Sequence, residues 1–249
     1  MTGGTRPATV VLVAGTGTEV GKTWVSARLL ERWRGRGLVT AARKPAQSGT
    51  PGSGPSDAEV LGAAGGEDPA AVCPPARSYP VALAPPMAAE ALGLAVPTVA
   101  DLLAALAWPR RRADVGLVET AGGVRSPQGA DGDVTHLLGQ LTPDAVVLVA
   151  DAGLGTINAV RLSFEALAAA PGVPARRAVV LNRFDGDDDL HRRNLDWLRE
   201  RDGLAVTTSA AADLDVLAGA LVAPERAPEA QASDSSTILP SLAPAAKRS

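Results

Sequence analysis

Nine residues near the start of the chain combine the groups that bind the phosphates of a nucleotide. Residues 15–23 read GTGTEVGKT and directly follow the apolar run TVVLVA at 9–14. The glycines let successive backbone N–H groups turn toward one anion, and the helix expected after them adds partial positive charge. We expect Lys22 to reach the β- and γ-phosphates and the Thr23 hydroxyl to hold Mg²⁺.

The spacing of this loop differs by one residue from the common phosphate-loop pattern. In that pattern a glycine stands five residues before the glycine of Gly-Lys-Thr. Here that position is Thr16, with Gly15 one residue further out, so the loop is one residue longer. A glycine-rich turn without function is the alternative interpretation. The order of strand, loop, Lys-Thr and helix favours the phosphate site.

Lysine is rare in this chain. Of its 24 lysines and arginines, only Lys22, Lys44 and Lys247 are lysines. A planar guanidinium and a compact ammonium differ in shape and in hydration. We therefore interpret Lys22 and Lys44 as positions that require a point charge, with chance as the alternative for Lys44.

A carboxylate and an amide also follow predicted strands. Glu119 ends the apolar segment 115–119 and precedes the glycine turn at 122–123, and a carboxylate in such a place can hold or orient Mg²⁺. An ordinary end of a strand is the alternative for Glu119. Asn182 follows the segment 177–181, where its amide could read a nucleobase edge or form a turn.

Strand-like and helix-like segments alternate along the chain. We predict strands at 9–14, 38–44, 115–119, 145–150, 177–181 and 204–208. We predict helices at 24–34, 58–64, 87–94, 99–107, 134–141, 187–201 and 214–221, and another that ends at 170. This alternation indicates an α/β fold, a three-layer parallel sheet with helices on both faces. We expect one P-loop NTPase-type domain at 1–222 and a disordered tail, rich in Pro, Ala, Ser and Glu, at 223–249. The suspected residues follow strands and should share one rim of the sheet.

Composition excludes several classes of function. The chain has 249 residues, a formal net charge of −3 and 3% aromatic residues, so no nucleic-acid partner is expected. No apolar run reaches about 18 residues and no signal pattern is visible, so we expect a cytoplasmic protein without membrane contact. The single cysteine, Cys73, excludes an internal disulfide. His136 and His191 are the only histidines and receive no role; no pairing for nucleophilic catalysis is evident.

Several segments together resemble the dethiobiotin synthetase family, whose enzymes use ATP to close the ureido ring in biotin synthesis. They are GTGTEVGKT at 15–23, KPAQSG at 44–49, SDA at 56–58 and ETAGG at 119–123, with GTIN at 155–158 and Asn182. The similarity spans about residues 8 to 185. The long phosphate loop and the lysine after the second strand are both typical of that family.

The resemblance implies a set of site residues. It implies catalytic roles for Lys44 and Lys22 and Mg²⁺ ligands Thr23, Asp57 and Glu119, although Asp57 could simply cap a helix. It implies nucleotide contacts from Glu19, Val20, Gly21, Lys22, Thr23, Asp57, Glu119, Thr120, Ala121, Gly122, Asn182 and Arg183. It implies diamine contacts from Thr18, Ser48, Gly155 and Asn158, the last two in a segment that reaches the substrate across a homodimer interface.

The implied reaction needs no protein nucleophile. ATP, Mg²⁺ and CO₂ would act on 7,8-diaminopelargonate through a carbamate and a carbamic-phosphoric anhydride. The chain departs from the family at Thr120, where glycine is common, and lacks a Pro-x-Leu element near Thr207, which leaves the base preference open. Two other classes are alternatives. One is an amidoligase of the cobyrinic acid type, which needs an ammonia source, and the other is a partner-binding ATPase switch, whose loop carries an extra early lysine.

Overall fold

The computed structural model describes residues 4–222 of the chain, and the predicted tail at 223–249 lies outside them. The strands are β1 (Thr9–Gly15), β2 (Thr40–Arg43), β3 (Gln47–Ser48), β4 (Ser78–Tyr79), β5 (Val115–Glu119), β6 (Pro127–Gly129), β7 (Gly132–Asp133), β8 (Ala145–Asp151), β9 (Arg177–Asn182) and β10 (Val206–Thr208). The helices are α1 (Lys22–Gly35), α2 (Asp57–Gly65), α3 (Pro69–Val72), α4 (Pro85–Ala91), α5 (Val99–Ala104), α6 (Val134–Leu141), α7 (Thr156–Ala168), α8 (Asp189–Asp196) and α9 (Ala211–Val222).

Six strands form one parallel sheet in the order β10-β9-β8-β1-β5-β2. The central strand β1 pairs with β8 on one side and β5 on the other, both in parallel. The sheet strands are rich in Val, Leu and Ala and are almost completely buried, as expected for a parallel sheet covered on both faces. Because all six strands run the same way, their carboxyl ends share one rim.

Alternate residues of β1 face opposite sides of the sheet, as the two-residue period of a strand requires. Val11 and Val13 pack with α1, α2 and α9 in one apolar cluster. Val10 and Leu12 pack with α6, α7 and α8 in the other cluster. Each fully buried Val or Leu contributes about 1.5–3 kcal/mol relative to an exposed one, so these two cores hold three layers together. The predicted α/β architecture is confirmed.

The structure corrects several predicted boundaries. The helix predicted at 187–201 divides into α8 and a π-helical turn at Trp197–Arg201. The helix predicted at 87–94 starts earlier, at Pro85, because proline suits the first position of a helix. The short pairs β3-β4 and β6-β7 and the four-residue helix α3 are not predicted, because two to four residues carry no period.

No helix within the described part of the chain is both long and apolar enough to cross a bilayer.

Candidate active site

The phosphate loop joins β1 to α1 at the carboxyl rim of the sheet. Two of its residues have left-handed backbone, Glu19 with φ 60° and Gly21 with φ 90°. Lys22 is the first residue of α1, and its Nζ donates to the Gly17 carbonyl at 2.9 Å. The lysine therefore folds back over the loop, in the position from which a phosphate would be contacted.

Lys44 lies directly after β2 and contacts two carboxylates. Its Nζ is 2.7 Å from Glu119 Oε1 and 2.5 Å from Asp57 Oδ2. Lys44 is 2% exposed and Glu119 is 0% exposed. Asp57 is the first residue of α2, behind the capping residue Ser56, so the capping alternative for Asp57 is wrong. Ser56 itself accepts from the Glu59 N–H and frees the Asp57 carboxylate for the site.

The Thr23 hydroxyl joins the same two carboxylates. Its Oγ1 lies 2.8 Å from Asp57 Oδ1 and 2.8 Å from Glu119 Oε1. A hydroxyl carries one proton and can donate to one acceptor at a time. The Thr23 hydroxyl oxygen and one oxygen of each carboxylate therefore converge, and the hydroxyl hydrogen can satisfy only one of the two carboxylates at a time.

The second carboxylate oxygen of Glu119 is unsatisfied. Glu119 Oε2 is buried and has no hydrogen-bond partner within residues 4–222. A buried acceptor without a partner is unfavourable and needs an explanation. The converging oxygens are hard donors of the kind that Mg²⁺ prefers, so this group fits a magnesium ion.

The two lysines of the site have opposite pKa shifts. Burial, strengthened by the charge of Lys44, lowers the pKa of Lys22 to about 8. Burial alone would lower the pKa of Lys44 too, but Glu119 and Asp57 outweigh it and raise that pKa above its usual value. Burial opposes ionisation of Asp57 as well, yet Lys44 and Thr23 hold the pKa of its carboxyl below the usual range.

The turn after β5 packs closely against the phosphate loop. A side chain at Gly123 would meet the Thr16 carbonyl at 3.1 Å and the Gly17 Cα at 3.3 Å, so glycine permits the contact. Gly122 has φ 62° and lies beside Thr18. Gln128, which sequence reasoning missed, holds this turn by accepting from the Ala121 N–H at 3.1 Å and donating to the Ala121 carbonyl at 2.8 Å. In the sequence, Gln128 is visible only as a polar residue in a glycine-rich hairpin, and many loops share that pattern.

Thr120 and Ser48 lie at different depths. Thr120 is completely buried, and its backbone N–H donates to the Val13 carbonyl at 3.0 Å, below the rim. Ser48 donates to the Leu83 carbonyl at 2.6 Å and lines a cavity of about 370 Å³ next to Asp57. Gln47 also lines this cavity, and its Oε1 accepts from the Ala58 N–H at 2.9 Å, which helps to fix the start of α2.

Asn182 and Arg183 lie on the other side of the phosphate loop. Asn182 Nδ2 donates to the Val20 carbonyl at 3.0 Å, and Arg183 Nη2 donates to the Glu19 carbonyl at 2.7 Å. Gly155 and Asn158 lie at the start of α7, where Asn158 is exposed. No hydrogen bond in the described range joins Gly155 or Asn158 to the cluster around Lys44.

Cys73 is an apolar filler. It is buried in the core beneath β2, and burial raises the pKa of its thiol to about 11. A thiol of that pKa is a poor nucleophile near neutral pH.

Comparisons with known proteins bear on the fold and on the family of this chain. A family profile described as an AAA domain matches residues 9–214. The FtsY cell division protein of Thermotoga maritima shares the fold, with a TM-score of 0.51 and 17% identity over 88% of this chain and 70% of that one.

The curated proteins with similar sequences identify the family more narrowly than the shared fold does. The ATP-dependent dethiobiotin synthetase BioD of Rhodococcus jostii is 38% identical, covering 85% of this chain and 90% of the relative. The enzymes of the same name from Haloferax mediterranei and Anaeromyxobacter dehalogenans are 38% and 40% identical, each over 79% of this chain and covering 81% and 88% of the relatives. With this identity over most of both chains, the protein belongs to the dethiobiotin synthetase family.

Proposed function

We propose that the residues at the carboxyl rim carry out ATP-dependent closure of the ureido ring of dethiobiotin from 7,8-diaminopelargonate and CO₂. One observation carries the assignment of roles: Lys44 lies between Asp57 and Glu119 next to the phosphate loop. That arrangement supports a reaction between a triphosphate and a second anion, with the charge balanced by ammonium groups.

The proposed sequence has three steps. One amine of the diamine attacks CO₂, and loss of a proton leaves a carbamate. A carbamate oxygen then attacks the γ-phosphorus of ATP, forming the carbamic-phosphoric anhydride and releasing ADP. The second amine attacks the carbonyl carbon of the anhydride, and the phosphate leaves as the ring closes and a proton is lost.

The two lysines oppose the charge that accumulates in these steps. Lys22 is buried at the phosphate loop and Lys44 at the carboxylate cluster. A fixed cation in a site shielded from water stabilises developing negative charge far more than it would in water. Lys22 serves the transferred phosphoryl group, and Lys44 serves the carbamate and the anhydride.

Magnesium is part of the proposal. Thr23, Asp57 and Glu119 would hold the ion, which is supported by the unpartnered Glu119 Oε2 and by the hydroxyl shared between two carboxylates. When bound, Mg²⁺ neutralises phosphate charge and orients the triphosphate. We also propose that the nucleotide is contacted by the other residues predicted from the sequence, namely Val20, Gly21, Thr120, Ala121 and Gly122.

We also propose a homodimer in the cytoplasm, where ATP is available. In this assembly Gly155 and Asn158 would contact the diamine bound mainly by Thr18 and Ser48 of the other subunit. The support is a pair of exposed leucines: Leu154, just before α7, is 91% exposed, and Leu162, in the middle of α7, is 61% exposed. Light scattering should give twice the chain mass, and Leu162→Asp should give a monomer.

The reaction is tested by product analysis. Purified protein, ATP, Mg²⁺, ¹³C-bicarbonate and 7,8-diaminopelargonate should give a cyclic urea that contains one ¹³C atom by mass spectrometry. ATP hydrolysis should be negligible without the diamine. Hydrolysis stimulated by DNA, membranes or a protein would support the switch ATPase instead, and ammonia-dependent amide formation would support the amidoligase.

A further inference from the structure

The side chain of Arg183 connects two segments of the rim that are distant in sequence. Its Nη2 donates to the Glu19 carbonyl at 2.7 Å, and its Nη1 donates to Asp151 Oδ2 at 3.0 Å. Asp151 is the last residue of β8 and is paired in register with Asn182 of β9. The guanidinium therefore ties the phosphate loop to the ends of two sheet strands.

The neighbouring residue makes a parallel contact. Asn182 Nδ2 donates to the Val20 carbonyl at 3.0 Å, so two consecutive loop carbonyls are held by two consecutive side chains. The fit is close, because a side chain at Gly21 would meet Asn182 Nδ2 at 1.9 Å. The loop at this point has no freedom to rotate its peptide groups without breaking one of these bonds.

Fixing a carbonyl also fixes an N–H group. In a planar trans peptide the C=O of one residue and the N–H of the next point in opposite directions. Holding the Glu19 carbonyl therefore directs the Val20 N–H, and holding the Val20 carbonyl directs the Gly21 N–H. These are the donors of a phosphate-binding nest.

The backbone at both ends of the arginine contact is uncommon. Within the described residues, three non-glycine residues have positive φ: Glu19 at 60°, Arg183 at 55° and Thr142 at 47°. Two of the three are the partners in this contact. Left-handed backbone at a non-glycine residue persists where the surroundings hold it in place.

We propose that Arg183 is a positioning residue for the phosphate loop: it holds the Glu19 carbonyl so that the Val20 N–H points at the triphosphate, with Asp151 as its anchor. The proposal rests on the proposed function only in that this loop binds a triphosphate. An exposed ion pair adds little to stability, and the Arg183 and Asp151 side chains are 60% and 48% exposed. The effect should therefore appear in phosphate binding rather than in folding.

The chain contains a matched control at the opposite rim, where the amino ends of β1 and β8 lie. Arg6 Nη2 donates to the carbonyl of Thr142, another residue with positive φ, at 2.9 Å, and to Asp144 Oδ2 at 3.0 Å. Arg6→Gln removes the same kinds of bond as Arg183→Gln, but far from the phosphate loop.

The test compares binding of inorganic triphosphate and ATP by calorimetry. Arg183→Gln should weaken both ligands by the same factor, about tenfold for the loss of a charged hydrogen bond, whereas Arg6→Gln should stay within about twofold of the wild type. Arg183→Lys should be intermediate, because one ammonium lacks the geometry of the two-pronged guanidinium. In steady-state assays the KM for ATP should rise more than kcat falls.

Other outcomes would overturn the positioning role. Weakening of ATP alone would mean that Arg183 contacts the base or the sugar, and unchanged binding of both ligands would mean that the contact is passive. A much larger loss of thermal stability in Arg183→Gln than in Arg6→Gln would mean a purely structural role. Triphosphate binding does not involve the diamine, so a failure to form dethiobiotin would leave this result standing.

Discussion

Two buried charge clusters lie on either side of the end of β2, and they differ in how completely their hydrogen bonds are satisfied. Arg43 donates to Glu67 Oε1 and to the Ala107 carbonyl, both at 2.9 Å, and lies over the Trp108 ring at 5.3 Å. The second oxygen of Glu67 accepts from the Ala42 N–H at 2.6 Å. This cluster is closed: both carboxylate oxygens have partners within the protein.

The cluster around Lys44 is open by comparison. Glu119 Oε2 has no partner in the described part of the chain, and Thr23 offers one proton to two carboxylates. Both clusters are built from an acid and a base next to each other in the fold. The fully hydrogen-bonded cluster around Arg43 holds the edge strand β2 in place. The unsatisfied acceptor in the cluster around Lys44 can still bind a ligand.

The largest expected effect is that of Lys44→Arg, which tests whether the open cluster needs a point charge. The planar guanidinium cannot take the position of an ammonium held between Asp57 and Glu119. We expect kcat to fall by about 10²–10³, as for loss of one group that stabilises an oxyanion. Turnover close to that of the wild type would contradict the point-charge interpretation.

Glu119→Gln tests whether the leftover acceptor serves a metal. The amide removes charge from the group that would hold Mg²⁺, and the apparent Mg²⁺ affinity in the ATPase reaction should fall at least tenfold, since even outer-shell changes weaken metal sites by 10–100-fold. Titration of Mg²⁺ at fixed ATP measures the change. Glu67→Gln in the closed cluster is the control and should leave the Mg²⁺ dependence unaltered.

Arg43→Lys tests the closed cluster with the opposite substitution to Lys44→Arg, because it replaces a guanidinium with an ammonium. It removes the two-pronged geometry and the stacking on Trp108, so the free energy of unfolding should fall by about 1–3 kcal/mol. Denaturant titration measures the loss. Because Arg43 lies outside the site, kcat should stay within a few-fold of the wild type, and a loss as large as that of Lys44→Arg would remove the distinction between the clusters.

The smallest expected effect is the uptake of a proton by Lys22, and not by Lys44, when a triphosphate binds. Burial and Lys44 lower the pKa of Lys22 to about 8, so the free protein holds Lys22 mostly neutral at pH 9. Lys44, Glu119 and Asp57 are the charged groups that act on it. A bound triphosphate favours the ammonium and raises this pKa, so binding should take up a proton, approaching about one at pH 9 and little at pH 7.

Calorimetry in buffers of different ionisation enthalpy measures that uptake. Lys22→Arg keeps a permanent charge and should bind ATP without a proton at either pH. Equal uptake at pH 7 and pH 9 in the wild type would show that another group is responsible.

The sequence predicts the rim better than it predicts what supports the rim. Lys44 directly follows β2, Glu119 ends β5 and Lys22 belongs to the loop motif after β1. All three are visible in the sequence because the carboxyl ends of parallel strands meet at one rim. The contact of Arg183 with Glu19 joins residues 164 positions apart, and no local pattern encodes such a pair. The division of the helix predicted at 187–201 is not visible in the sequence either, because the helical pattern continues through the π-helical turn.

The last described helix has a consequence for how far the chain can be shortened. Trp33 of α1 is fully buried, its indole nitrogen donates to the Ala218 carbonyl at 2.9 Å, and Leu214 and Leu221 of α9 complete that apolar layer. A fragment ending near residue 210 would expose this face and leave a tryptophan donor without its acceptor. We therefore expect a fragment that ends near residue 210 to be less stable than one that extends through α9, even though every residue assigned to chemistry occurs before position 184.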